Sequence, residues 1–221
     1  MSKTIARRQL AEKTGLLLAG LVVMSFGVAL SIKAELGTSP ISSLPYVSAE
    51  ISGLSVGTTT IILNSLFVLL QILLLRRDYE WFQLLQIAVA VVFGLLIDLF
   101  VSVLEPLEAD AYLMQWLLCA GGIVFVALGV SIEVAAKLVP TAGEGLVLAL
   151  CRVTGLKFGN LKVALDVTLV LLSVAAGYIF LGRLSGVREG TIAAALLVGQ
   201  VSKLFSGALK PLEKKLAPVV D

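Results

Sequence analysis

The sequence predicts an all-α polytopic membrane protein built from two inverted-topology repeats of three transmembrane helices, each with a short interrupted or re-entrant helix. Three observations carry this expectation. First, 58% of the 221 residues are hydrophobic and 14% charged, with a mean hydropathy of +1.03; a water-soluble domain of this size needs far more polar surface. Second, apolar runs recur at 16–32, 56–75, 87–104, 113–132, 163–181 and 192–201. Most approach the ~20 residues that a bilayer-spanning helix requires. Third, the stretch SGLSVGT at 52–58 returns 102 residues later as TGLKFGN at 154–160.

The repeat extends well beyond that turn. A shift of 102 aligns 16–70 with 118–172 without a gap, and 15 of those 55 positions are identical. Leucine and valine matches carry little weight in such a composition, so the glycines decide. Gly20 meets Gly122, Gly27 meets Gly129, Gly53 meets Gly155 and Gly57 meets Gly159. With a three-residue adjustment, IAVAVVFGLLIDLF at 87–100 falls on IAAALLVGQVSKLF at 192–205. The repeat thus covers nearly the whole membrane part. Three spans is an odd number, so the second copy must lie upside down relative to the first, an architecture recurrent in secondary transporters.

Taken in order, the elements are a basic N-terminal segment at 1–13, repeat 1 at 14–104, an acidic external loop at 105–112, repeat 2 at 113–206 and a basic tail at 207–221. The first apolar run reads as a span and not as a cleaved signal: it is long for a signal core, no small-residue cleavage site follows, and a later copy exists. The positive-inside rule places both termini in the cytoplasm, together with Arg76, Arg77 and the cluster Lys137, Arg152, Lys157 and Lys162. Lys33, Arg183 and Arg188 are the exceptions among 17 basic residues. Counting 39–52 and 141–154 as full spans would give eight, and would ask about 14 residues to do the work of about 20. Six spans is the preferred reading.

The interrupted segments are the most informative chemically. The first reads ELGTSPISSLPYVSAEISG and its counterpart KLVPTAGEGLVLALCRVTG. Irregular backbone at membrane depth is tolerated where protein or a water-filled cavity satisfies it. Thr38, Ser39 and Pro40 in one copy, and Thr141, Gly143 and Glu144 in the other, are the candidate ligand-binding residues. Ser39–Pro40 and Thr141 mark helix starts, whose free N–H groups suit a carboxylate or another anion. Charges inside apolar spans are functional candidates by default. Asp166, its repeat equivalent Asn64, and Asp98 form the candidate ion-coupling set, and Lys203 is the equivalent of Asp98. Lys33, Glu35, Glu133 and Lys137 flank the interrupted segments and read as interfacial charges that snorkel to water. Gly53 and Gly155 are expected to end the short helices in left-handed caps, while Gly57 and Gly159 give the next span a close contact.

Much chemistry is excluded. The chain has no histidine, and no nucleophile–base pair, metal-ligand spacing or phosphate loop emerges. Cys119 and Cys151 read as small packing residues. No enzyme activity, cofactor, metal or nucleic-acid partner is expected.

The stretches SGLSVGTTTIILNSLFVLL, TGLKFGNLKVALDVTLVLL and GTIAAALLVGQVSKLF resemble the YczE-like bacterial membrane proteins, related to the wider YitT group. The resemblance covers roughly 16–205. It implies a Gly-Pro followed closely by Asp at the start of each short segment. Here the first copy has Gly37-Thr38-Ser39-Pro40 without the acid, and the second places Glu144 in the acidic position.

The expected location is the bacterial inner (cell) membrane, with several passes. The expected function is secondary transport or export of a small, anionic or zwitterionic solute by alternating access. The alternatives are a non-transporting membrane partner of another enzyme or transporter, and a substrate-binding subunit of a multi-subunit importer. The expected partners are the lipid bilayer, a small-molecule solute, and a second copy or another membrane protein.

Overall fold

The computed structural model describes residues 3–216, with side chains for 9–210; Lys3, Arg7, Arg8 and the tail beyond 210 lie outside the described side chains. Among the described residues are eight α-helices: α1 (Lys3–Lys33), α2 (Pro40–Ser52), α3 (Val56–Leu75), α4 (Leu85–Val103), α5 (Tyr112–Ala136), α6 (Ala142–Thr154), α7 (Phe158–Ala176) and α8 (Glu189–Leu216). Six of them are long and apolar enough to cross a membrane. The other two, α2 and α6, have 13 residues each. At 1.5 Å per residue they extend about 20 Å, short of a ~30 Å hydrocarbon core. The chain is a membrane protein with six apolar helices, as the composition required.

Both short helices stop at the first glycine of the repeated turn. Gly53 (φ 73°) and Gly155 (φ 70°) are left-handed, and their N–H groups return to the carbonyls of Ala49 and Cys151. An added Cβ would meet nothing within 4 Å at either position, so backbone strain alone opposes a side chain there. Gly53→Ala is therefore expected to destabilise the fold by about 1 kcal/mol, lowering the melting temperature of the purified chain by roughly 2–4 °C. The starts of the short helices are less ordered by side chains. Ser39 and Thr141 occupy the cap positions, and neither side chain accepts from a first-turn N–H; Ser39 Oγ donates to Ser42 Oγ at 3.0 Å instead.

At the centre α1 and α5 run antiparallel. Gly27 backs onto Gly122 and Val126, and Gly20 onto Gly129 and Glu133; an added Cβ would lie 2.6 Å from Val126 N in the first case and 3.0 Å from Glu133 N in the second. Small residues let the two backbones approach this closely. α4 packs on α1, α8 on α5, α3 on α6 and α2 on α7. One apolar core joins α1, α4 and α5 through Leu21, Met24, Ile97 and Val126. A second joins α3, α6 and α7 through Phe67, Val68, Leu146 and Leu169. Leu66, Leu73, Leu95 and Leu171 remain exposed on the outside, where lipid covers them.

Polar contacts show which ends share a face. Lys33, Ser55, Asp98 and Glu105, from the ends of α1 and α4 and the start of α3, line one crevice. Lys33 Nζ donates to the Glu105 carbonyl at 3.0 Å. Arg188 donates to the Glu35 carbonyl at 3.0 Å, and Arg183 pairs with Glu50 at 3.4 Å. The three basic residues that the charge rule sets apart are thus gathered on one face. The Arg76–Asp78 turn and the start of α7 lie at the opposite one.

Candidate functional site

A cavity of about 550 Å³ lies between the two halves of the bundle. Both short helices begin at it: Ser39, Pro40 and Ser42 line it from α2, and Thr141, Ala142 and Glu144 from α6. The left-handed caps turn the chain back on itself, so each short helix points its N-terminus inward and its glycine turn outward. Most of the remaining wall is aliphatic, with Leu21, Met24, Val89, Val126 and Val198 among its members.

Four charged side chains line this space: Glu133, Glu144, Lys162 and Asp166. Lys162 and Asp166 sit one turn apart on α7, and Lys162 Nζ donates to the two carboxylate oxygens at 2.5 and 2.6 Å. Their repeat equivalents Thr60 and Asn64 also face the cavity, with Asn64 Nδ2 donating to the Thr60 carbonyl at 2.8 Å. The same two positions are therefore neutral in one half and ionic in the other. Glu133 departs from the interfacial reading. Its side chain does not snorkel: it is 5% exposed, and Oε1 has no hydrogen-bond partner. The reason is its helix position. Glu133 lies on the face of α5 that packs against Gly20 of α1, a full turn before the helix ends.

A family model matches residues 11–207, and its description is a family of unknown function, DUF6198. The chain belongs to the DUF6198 family. It is 27% identical over 184 residues to the uncharacterized membrane protein YczE of Bacillus subtilis (strain 168), which covers 83% of this chain and 80% of that one. It is 29% identical over 130 residues to the uncharacterized protein YyaS of the same organism, across 58% of this chain and 63% of that one, so less than two thirds of YyaS is spanned. No solved structure matches. The YczE-like character read from the paired glycine turns is thereby established.

In this DUF6198 chain the remaining candidates fall outside the cavity lining. Thr38 is 2% exposed and holds the Gly186 carbonyl through its N–H at 3.0 Å, which ties the α1–α2 link to the start of α8. Gly143 is buried with Ile41 against it. Asp98 accepts from Gly57 N–H at 2.7 Å and from Ser55 Oγ at 2.6 Å, so it caps the start of α3. Gly57 has the expected close contact, with Gly94 of α4, and Gly159 has none within 4 Å.

Sequence reading passed over two buried amides. Gln71 of α3 donates to Gln86 of α4 at 3.0 Å and to the Ala142 carbonyl at 3.1 Å, which pins the start of α6. Ser173, at the repeat position of Gln71, donates to the Ser43 carbonyl at 3.1 Å and pins α2 in the same way. The available signal was a glutamine at each end of the Arg76 turn. Such residues at the ends of apolar runs resemble ordinary interfacial polar groups.

Proposed function

We propose that this chain is a secondary transporter of a small solute, working by alternating access between two inverted repeats. One observation carries the reading: two seams that correspond by the internal repeat differ in state. α3 packs along α4, whereas α7 and α8 barely touch. Gly57 and Gly94 face each other so closely that a Cβ on Gly94 would come 2.6 Å from Ile61 Cγ1. Their equivalents Gly159 and Gly199 meet nothing within 4 Å. Exchange of these states between the halves would move the opening of a central cavity from one face to the other, which is the logic of inverted-repeat transporters. The antiparallel contact of α1 and α5 at corresponding glycines supports the same reading.

In this proposal the Arg76 face is cytoplasmic, as are both termini, and the membrane is the bacterial inner membrane. The cavity opens to the cytoplasm between α7 and α8. Glu144 and Asp166 hold the coupling ion, and Ser39, Thr141 and the adjoining backbone face the solute. The protein carries solute and does no covalent chemistry.

The test is proton and solute flux in sealed liposomes containing the purified chain, screened against small organic acids, amino acids and organic amines. Solute-dependent proton movement is expected, and it should be lost in Asp166→Asn or Glu144→Gln, because ionisable groups inside a membrane are costly and mark proton and ion paths. A folded protein that moves no solute would favour the reading as a non-transporting membrane partner.

A further inference from the structure

The solute's chemical class can be argued from the cavity, an inference that rests on the transport reading above. We propose that the cavity binds an organic cation with an apolar body, its positive group held by Glu133 and, in exchange for the coupling ion, by Glu144.

The cavity is lined by three carboxylates and one amine among the described residues. Lys162 is already committed to Asp166 at 2.5 Å. Among the described residues, neither Glu133 nor Glu144 takes part in an ion pair. Glu133 is the sharper case, because it is 5% exposed and keeps one carboxylate oxygen without a partner. Taking a carboxylate out of water is costly unless a counter-charge or hydrogen bonds replace the water. The fold supplies no such charge at Oε1, which leaves a proton or a ligand's positive group as its partner, and the apolar room beside it favours the ligand.

An anion finds less here than the paired helix starts promise. Glu144 already stands in the first turn of α6, where it answers the positive end of that helix. Pro40 opens α2 and brings no N–H to its first turn. Each helix start is therefore weaker as an anion site than its position alone implies.

Size and wall composition specify the rest of the ligand. About 550 Å³ falls within the range of pockets for drug-sized molecules. Leu21, Met24, Val89, Phe93, Val126 and Val198 line it, so a small inorganic cation would leave apolar space unfilled. Val163 is 63% exposed and lines the cavity together with Gly199 at the loose α7–α8 seam. Its two helices also carry exposed apolar residues such as Leu171 and Leu196, so an amphiphilic molecule at the boundary of lipid and cytoplasm would have a route to the acidic pair.

The experiment compares two probes of the same shape and opposite charge, tetraphenylphosphonium and tetraphenylborate, titrated against the purified chain in lipid nanodiscs with empty discs as background. Saturable binding is expected for the phosphonium only. Glu133→Gln should weaken it by more than about tenfold, in keeping with the loss of one partner of a buried charge pair, and Glu144→Gln by a smaller factor. Arg77→Gln, in the exposed turn after α3, should leave it unchanged, and melting temperatures verify that each variant is folded. Absent phosphonium binding, equal binding of the borate, or phosphonium affinity unchanged in both glutamate variants would overturn the proposal. The transport reading fails separately. Saturable phosphonium binding without saturable uptake into liposomes would reject transport and keep the ligand class. Uptake of an organic acid by a chain that does not bind the phosphonium would keep transport and reject the class.

Discussion

Gly199→Leu is expected to leave the protein folded and to reduce transport by more than about tenfold. The first half follows from the surroundings of Gly199, which is exposed and would meet nothing within 4 Å on gaining a Cβ. A leucine in an exposed helix interior replaces the poorest ordinary helix former, so helix propensity favours the variant by roughly 0.5–1 kcal/mol. The second half follows from the internal repeat. Gly199 corresponds to Gly94, and Gly159 to Gly57. At the closed seam, a Cβ on Gly94 would lie 2.5 Å from the Gly57 carbonyl oxygen, a distance no side chain tolerates. A seam between α7 and α8 that closed in the same manner would have no room for leucine.

Overpacking of a tight contact costs about 1–3 kcal/mol, and each 1.4 kcal/mol is a factor of ten. The variant should therefore be held with the α7–α8 side open. The measurement is liposome flux beside a thermal melt. Reduced flux with an unchanged or raised melting temperature is the expected pair. Full flux would mean that the two seams do not exchange states, and would remove the main support for alternating access. Gly94→Leu supplies the mirror case: it attacks the contact that is already made, so its melting temperature should fall.

The helices were legible because apolar runs and glycine turns are local signals. The run at 56–75 coincides with α3, and the two Gly-Leu-x-x-Gly turns end α2 and α6 as their left-handed glycines require. Within the candidate site, Ser39, Pro40, Asn64, Thr141, Glu144 and Asp166 all reach the cavity, because a repeat offset places corresponding residues at corresponding depths. What the repeat could not supply was the difference between its copies. Gly57 and Gly159 are the same letter in the same motif, yet one is sealed and the other open, since that depends on how α4 and α8 sit and not on the local chain. Glu133 was illegible for a similar reason. Its distance from the helix end suits a snorkelling side chain, and only the close approach of α1 turns that face inward. Asp98 was legible as a special residue, while its partners, Ser55 and the Gly57 N–H, lie more than 40 positions away.

With those partners lost, Asp98→Ala is expected to unlock the α3–α4 seam. Asp98 joins the end of α4 to the start of α3, where Ser55 also accepts from Thr58 N–H at 3.1 Å. Hydrogen bonds to a charged group contribute about 1.5–3 kcal/mol each when sheltered, and a carboxylate at a helix N-terminus gains further from the helix dipole. The site is partly exposed, so about 2 kcal/mol for the pair is a discounted figure, equivalent to roughly a 30-fold change in a two-state population. The corresponding residue at the other seam is Lys203, a cation that the start of α7 would repel. The latch therefore exists at one seam alone and biases the molecule toward α3–α4 closure. Asp98→Ala should release it. Ile61→Cys, which sits against Gly94, reports on the seam once Cys119 and Cys151 have been replaced by alanine. Its labelling by a membrane-impermeant maleimide added from the Lys33 face should rise by more than about tenfold in the Asp98→Ala background. A lower melting temperature with unchanged labelling would make Asp98 a helix cap and nothing more, and the resting bias would then have to come from the packing of α4 on α1.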